Sequence, residues 1–484
     1  MDPIPLNRIH FFSTSVFAAL LATSAPARAD DESAPPAPPV DKPAPLPPVT
    51  DIQPAELPKH DETLEQRMQK LEDALELSKE DNAALEEKLN GLMPFTTRFS
   101  GYLDVGFFAT DGNGAGTRSD LASSYFPEYA GIVPGSWVFM GDPLSTAVNS
   151  RGEPADTGDS RAIVFNPIHS RGAPSFIVNA LNQGLFVGLG ETATLNASVD
   201  FVPRGRDVSD PAGTFVGDFI DVKLAYAEWR PKIESFNLAL QAGKFDSVIG
   251  YEYRSLESPD RIGITPSLIC RYTCGRPLGL KARARFLDDA LVLNVSVTNG
   301  SHFSEGFPFS NEIDTNQFKT VAGRLSYLIM KKLDLGVSGA FGAQDLQVDD
   351  NVYQWHVGAD MHLEWKDLEL TAELVHGRAD GKTSIIGPHC DVAPCIHYTG
   401  AYGLLAYRVS NLLIPYARVD WRDALHESGA SFVYISQLVR ATVGLRTEIG
   451  THVIVKAEGT VNRELGRIPQ FPDDVFTTSL VIKY

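Results

Sequence analysis

Stretches of about ten to fifteen residues that alternate apolar and polar side chains with a period of two recur throughout this chain, and few folds can accept so many of them. The last one sets Phe476, Thr478, Leu480, Ile482 and Tyr484 on one face, with Thr477, Ser479 and Lys483 on the other. Residues 353–365 are the clearest: Trp355, Val357, Ala359, Met361, Leu363 and Trp365 face one way, and His356, Gly358, Asp360, His362 and Glu364 the other. A strand of a soluble sandwich would bury the first set in a core. Here the apolar stripe carries Trp at both ends, as an interfacial girdle does.

Sixteen such segments can be read, at 97–110, 176–190, 192–203, 215–230, 235–245, 278–287, 291–300, 317–329, 332–344, 353–365, 368–378, 398–408, 413–423, 434–449, 451–463 and 474–484. Short connections such as Gly190-Glu191, Met330-Lys331 and Lys366-Asp367 alternate strictly with long ones such as 111–175, 246–277 and 379–397. An even strand number, with tight turns on one rim and long loops on the other, predicts an all-β transmembrane barrel of about sixteen antiparallel strands. The turns and both ends of the barrel then belong to the periplasmic side of an outer membrane.

The segment ahead of the barrel agrees. Residues 1–29 read as a signal peptide, with a basic start at Arg8, an apolar run from Phe11 to Ala22 and an Ala27-Arg28-Ala29 cleavage site. No stretch of eighteen apolar residues is present, so a helical inner-membrane protein is excluded. Residues 30–60 form a Pro/Ala-rich linker that cannot build a core and extends as polyproline II, at about 3.1 Å per residue, into the periplasm. Within 61–93, Leu64, Met68, Leu71, Leu75, Ser78, Asn82, Leu85, Leu89 and Leu92 are spaced alternately by four and three, which predicts a coiled coil and hence self-association. A single amphipathic helix at the barrel mouth is the alternative. Asn82 in the seam leaves dimer and trimer open. The barrel domain is expected over 95–484.

The net charge of −19 argues against a nucleic-acid partner. A mean hydropathy of −0.10 suits a barrel with a polar lumen and loops. Four cysteines form two close pairs, Cys270 with Cys274 and Cys390 with Cys395, each in an expected external loop, so local disulfides are the favoured reading in an exported chain. His389 and His397 flank the second pair, but a lone Cys-x4-Cys is a weak zinc signature. No metal or cofactor is expected, and no Gly-x-Ser-x-Gly motif accompanies His302, His376 or His426, so an enzyme is not expected.

Function should reside in the lumen. Leu280, Ala282, Ala284 and Phe286 take the lipid side, which turns Lys281, Arg283 and Arg285 inward as a cationic ladder; the same reasoning turns Arg324, Arg418 and Arg422 inward, with Arg440, Arg446 and Lys456. The opposing carboxylates are Asp104, Asp200, Asp360, Glu364, Glu369, Glu373, Asp420, Glu448 and Glu458. Rings of charged side chains set ion selectivity in pores. Mutual neutralisation in pairs that stiffen the barrel is the equal alternative for each of these residues.

The stretch Gln241-Ala242-Gly243-Lys244-Phe245-Asp246-Ser247-Val248-Ile249-Gly250-Tyr251-Glu252 resembles the "Gly-Lys-Phe … Gly-Tyr-Glu" run of Gram-negative porins similar to the phosphate-selective porins. The combined layout resembles dicarboxylate-type porins with an N-terminal helical extension. The resemblance implies an outer-membrane porin, a passive diffusion channel for small hydrophilic solutes with an anion bias (phosphate or organic acids). It also implies a homotrimer, joined here through barrel and coiled coil, with one loop folded into each pore. Loop 246–277, with Arg254, Glu257, Asp260, Arg261, Arg271 and Arg276, is the constriction candidate; the lysine-rich external loop of phosphate specialists is absent. The expected partners are therefore outer-membrane lipid and small anionic solutes. The alternative function is a structural one, in which spacer and coiled coil tether the outer membrane to the cell wall.

Overall fold

The computed structural model describes residues 97–110, 137–140, 174–201, 220–233, 235–300, 302, 316–344, 350–382, 390, 395–428, 432–468, 470 and 474–484. The expected signal peptide, linker and coiled coil lie outside these residues.

Among the described residues there are seventeen strands: β1 (Thr97–Thr110), β2 (Trp137–Met140), β3 (Ser175–Leu189), β4 (Ala193–Phe201), β5 (Ile220–Trp229), β6 (Asn237–Lys244), β7 (Leu278–Phe286), β8 (Leu291–Thr298), β9 (Thr320–Ile329), β10 (Leu333–Ala343), β11 (Tyr353–Trp365), β12 (Leu368–Ala379), β13 (Cys395–Tyr407), β14 (Leu413–Ser428), β15 (Phe432–Ile449), β16 (Val453–Glu464) and β17 (Val475–Lys483). All but β2 join in one antiparallel meander, and β1 pairs with both β3 and β17, from Tyr102↔Lys483 to Thr110↔Val475 on the closing seam. The result is a closed sixteen-stranded barrel. Closure is what removes the sheet edges that lipid cannot satisfy. β2 was not anticipated. It lies parallel to Phe432–Ile435, where β16 has already ended opposite Leu438 and left the outer edge of β15 unpaired.

The strand positions follow the alternation closely, but β13 begins at Cys395 and β14 runs on to Ser428, beyond the expected 398–408 and 413–423. Backbone pairing continues past the depth at which lipid enforces alternation, so the periodic signal stops before the ladder does. At the other rim, Met330, Lys331 and Lys332 connect β9 to β10; the Lys332 N–H donates to the Ile329 carbonyl, and Met330 and Lys331 between them have φ of 51° and 56°, the left-handed pair that a primed turn requires.

Burial is inverted relative to a soluble domain. Leu280, Val337 and Val443 are 63%, 59% and 64% exposed on the outside, whereas Asp104, Asp420 and Arg422 are fully buried inside. Exposed Trp229, Tyr327, Trp365, Tyr407 and Tyr484 stand at the short-turn ends of their strands, forming an aromatic girdle.

Candidate pore and its inner loop

β6 ends at Lys244, and the chain turns inward rather than outward. Phe245, Val248, Ile249, Ile264, Leu268 and Ile269 are buried, a composition that an external loop in water would not keep inside. The loop carries a short 3-10 turn (Glu252–Ser255) and one helical turn, α1 (Cys270–Thr273). Cys270 is bonded to Cys274 across α1 with Cα atoms 5.0 Å apart, and Cys390 to Cys395 at 5.8 Å, both within the usual disulfide span.

The barrel wall holds this loop by both of its backbone polarities. Wall carboxylates accept from loop N–H groups: Glu373 from Tyr251 at 2.9 Å and from Glu252, Glu458 from Ile264 at 2.8 Å, and Asp420 from Leu268 at 3.1 Å. Wall cations donate to loop carbonyls. Lys456 Nζ reaches Ser258, Arg261 and Gly263 at 2.7, 2.6 and 2.9 Å, Arg446 reaches Arg261 and Pro259 at 2.7 and 2.8 Å, and Arg418 reaches Thr265 and Pro266 at 2.5 and 2.9 Å. Charge-assisted bonds of this kind are the stronger ones. Gly250 has φ +71°, and a Cβ there would stand 2.4 Å from Glu373 Oε2, so the clamp requires glycine at this point.

A second set of contacts ties the loop to its own base. Glu257 accepts from Lys223 at 2.5 Å, from Arg276 at 2.6 Å and from the Tyr102 hydroxyl at 2.6 Å. Burial pushes its carboxyl up, but the charges of Lys223 and Arg276 outweigh this and hold it well below the ordinary range. Glu252 faces no such cationic surplus; burial pushes its pKa up while it accepts from the Ser267 N–H at 2.7 Å. Arg254 pairs with Asp334 at 3.2 Å.

The six cations singled out in the sequence all point inward but divide into three kinds. Lys281 is buried and donates to the Asp246 carbonyl at 3.0 Å, joining Arg418 as a loop clamp. Arg324 is held by Asp360 at 2.5 Å and Arg422 by Ser436 at 2.5 Å, both within the wall. Arg283 and Arg285 instead line an open cavity of about 700 Å³ at the short-turn rim, with Glu228, Arg230 and Lys232. Arg285 stands 3.5 Å from Asp289, both half exposed, whereas Arg283 bonds the neutral Asn294 at 2.9 Å. A smaller cavity of about 230 Å³ lies between the loop and β11–β13, lined in part by Tyr251, Asp260, His362, Glu364 and Glu369.

Sequence reasoning named the wall carboxylates without their role as acceptors of loop N–H groups, and it omitted Lys223. Lys223 sits at a bulge of β5, between Val222 and Leu224, and meets Asp200 at 3.2 Å; the alternation of Ala225, Ala227 and Trp229 on the outer face would have put it outside, so the bulge is what hid it.

Residues 186–479 match the model of the family described as "Putative beta-barrel porin-2, OmpL-like". No curated protein matches the sequence. Among solved structures, the outer membrane channel DcaP of Acinetobacter baumannii superposes with a TM-score of 0.50 at 9% identity, covering 81% of this chain and 97% of that one. OmpF of Salmonella typhi in complex with daunomycin gives 0.48 at 10%, covering 81% and 98%. The trimer form of OmpT from Vibrio cholerae gives 0.46 at 10%, covering 81% and 99%. Identities this low speak to the fold alone. The family match spans more than half of the chain and coincides with a closed, lumen-polar barrel, so the chain belongs to the OmpL-like beta-barrel porin-2 family and is an outer-membrane porin.

Proposed function

We propose that this porin is a passive diffusion channel for small hydrophilic solutes with a bias toward anions such as phosphate or organic acids. The observation that carries the bias is Arg283. It faces the larger cavity with no carboxylate partner among the described residues, and Arg230, Lys232 and Arg285 surround it. Arg230 pairs with Glu228, Lys232 with Glu191, and Arg285 with Asp289, so Arg283 supplies the uncompensated charge. An unpaired cation beside a low-dielectric wall raises the local anion concentration. Lys281, the first rung of the ladder, acts here through the loop rather than through solutes. We further infer that three copies associate through barrel and coiled coil, with the N-terminal extension in the periplasm.

The test is selectivity in planar bilayers. Replacing both cations, Arg283→Glu and Arg285→Glu, leaves the loop clamps intact and should move the reversal potential in asymmetric low salt toward cation preference. The shift should shrink as salt rises, because screening shortens the reach of the charges. An unchanged reversal potential in low salt would remove the anion-bias reading.

A further inference from the structure

Residues 254–257 cross the lumen as a bar. At one end Arg254 pairs with Asp334 of β10, and at the other Glu257 reaches Lys223 of β5 and Tyr102 of β1. Firmer anchors stand on either side, where Glu373 takes the N–H groups of Tyr251 and Glu252 and Lys456 takes the Ser258 carbonyl. The Glu257 end is the accessible one: its side chain is 26% exposed, whereas Glu373 and Glu458, which clamp the rest of the loop, are buried. The open cavity of Arg283 and Arg285 lies on the turn side of this end, and Tyr226, on the inner face of β5, feels the charges of both Arg283 and Asp246.

The Glu257 carboxylate sits in a seat of three donors. Its Oε2 accepts from Lys223 Nζ at 2.5 Å and from the Tyr102 hydroxyl at 2.6 Å, and its Oε1 from Arg276 Nη2 at 2.6 Å. Donors divided in this way over two oxygens fit a planar carboxylate. Each cation of the seat also keeps a second counter-ion, Asp200 at 3.2 Å from Lys223 and Asp246 at 3.0 Å from Arg276. Departure of Glu257 therefore strands neither cation, and the large penalty of an unpaired buried charge is avoided. A monocarboxylate entering in its place restores the charge that left, whereas a dianion adds a second negative charge beside Asp200 and Asp246.

We propose that Lys223, Arg276 and Tyr102 form a subsite for small monocarboxylate solutes on the transport path, filled in this structure by the chain's own Glu257. The proposal rests on the anion-channel reading above and narrows its solute class. An incoming carboxylate exchanges with Glu257, whose side chain swings away from the seat and frees that end of the bar. Glu257 is thus an internal stand-in for the solute, and it keeps the seat closed to anions that cannot bridge the same donors.

The full-length channel can be tested in planar bilayers bathed in potassium acetate of rising concentration, with potassium chloride for comparison. Acetate current through the wild type should level off at high concentration, as passage through a binding site requires. Glu257→Gln keeps the shape of the side chain but removes the charge that competes for Lys223 and Arg276. It should lower the half-saturating acetate concentration at least tenfold, with a smaller change for chloride. Lys223→Met combined with Glu257→Gln restores the net charge of the wild type while dismantling the seat, so the gain for acetate should disappear. A wild-type acetate current that stays proportional to concentration, a half-saturation unchanged by Glu257→Gln, or a gain kept in the double variant would each overturn the seat. Equal shifts for acetate and chloride would overturn its assignment to carboxylates. The anion bias itself is read separately, from the reversal potential of Arg283→Glu with Arg285→Glu; a potential that moves there beside an acetate response that does not move here removes the seat alone.

Discussion

Lys456 offers the sharpest test of how the inner loop is held. Its ammonium is buried on β16 and donates to three loop carbonyls within six residues of one another, those of Ser258, Arg261 and Gly263. Lys456→Met keeps the length of the side chain and removes all three donors. The Arg261 carbonyl keeps Arg446 as a donor, so the loss falls on the other two; at about 1 kcal/mol or more for each, docking of this stretch should weaken by about 2 kcal/mol. That corresponds to roughly thirtyfold in the balance between docked and released loop. Arg446 also bonds the Arg261 and Pro259 carbonyls, and Glu458 and Arg418 hold the next residues, so release should be local rather than complete. Single-channel records of Lys456→Met should show excess open-channel noise, and trypsin should cleave after Arg261, which is buried in the wild type. Lys331→Met, in a turn at the far rim, is the control. If Lys456→Met folds into a barrel as quiet and as trypsin-resistant as the wild type, the carbonyl clamp is not what positions the loop.

Two further outcomes are expected. Non-reducing mass mapping should recover Cys270 joined to Cys274 and Cys390 joined to Cys395; free thiols or crossed pairs would contradict the local bridges. Acid should loosen the loop base through Glu257, whose depressed pKa means that the docked state binds fewer protons than the released one. Its contribution is therefore complete above the ordinary carboxylate range and declines as pH falls through that range toward the depressed value. Current noise measured from pH 7 down to pH 3 should rise only at the acid end, and Glu257→Gln should be noisy throughout and lose the acid dependence.

The alternation made the barrel legible because lipid imposes one rule on every strand: whatever faces outward must be apolar. Leu280 exposed beside buried Lys281 is that rule at a single step. The rule assigns a side and nothing more. Lys281, Arg283 and Arg285 are indistinguishable rungs in the sequence, yet Lys281 lies at the height where Asp246 enters the lumen, and Arg283 and Arg285 lie nearer the turn, beside open space. Depth relative to the inner loop separates their roles, and depth depends on how far the loop descends. The apolar residues Val248, Ile249, Ile264, Leu268 and Ile269 were a visible sign that loop 246–277 would bury itself, because a solvated loop has no use for so many.

What the chain could not disclose locally is which wall residues the loop would meet. Lys456 and the carbonyl of Ser258 are separated by 198 positions, Glu458 and the Ile264 N–H by 194, and Asp420 and the Leu268 N–H by 152. The loop's side of each contact is a backbone group that any residue carries, so no pairing of side-chain types marks it. Asp420 stands opposite Arg440 and so carries no mark of its loop contact; for Lys456 and Glu458 the wall side leaves a trace, as a charged residue at an inward position with no complement on the neighbouring strand. Lys456 stands opposite Arg446 on one side and Ser479 on the other, and Glu458 opposite Gly444 and Thr477. A charge without a cross-strand counter-charge must find its partner from across the lumen, and in this barrel the group that crosses the lumen is the inner loop.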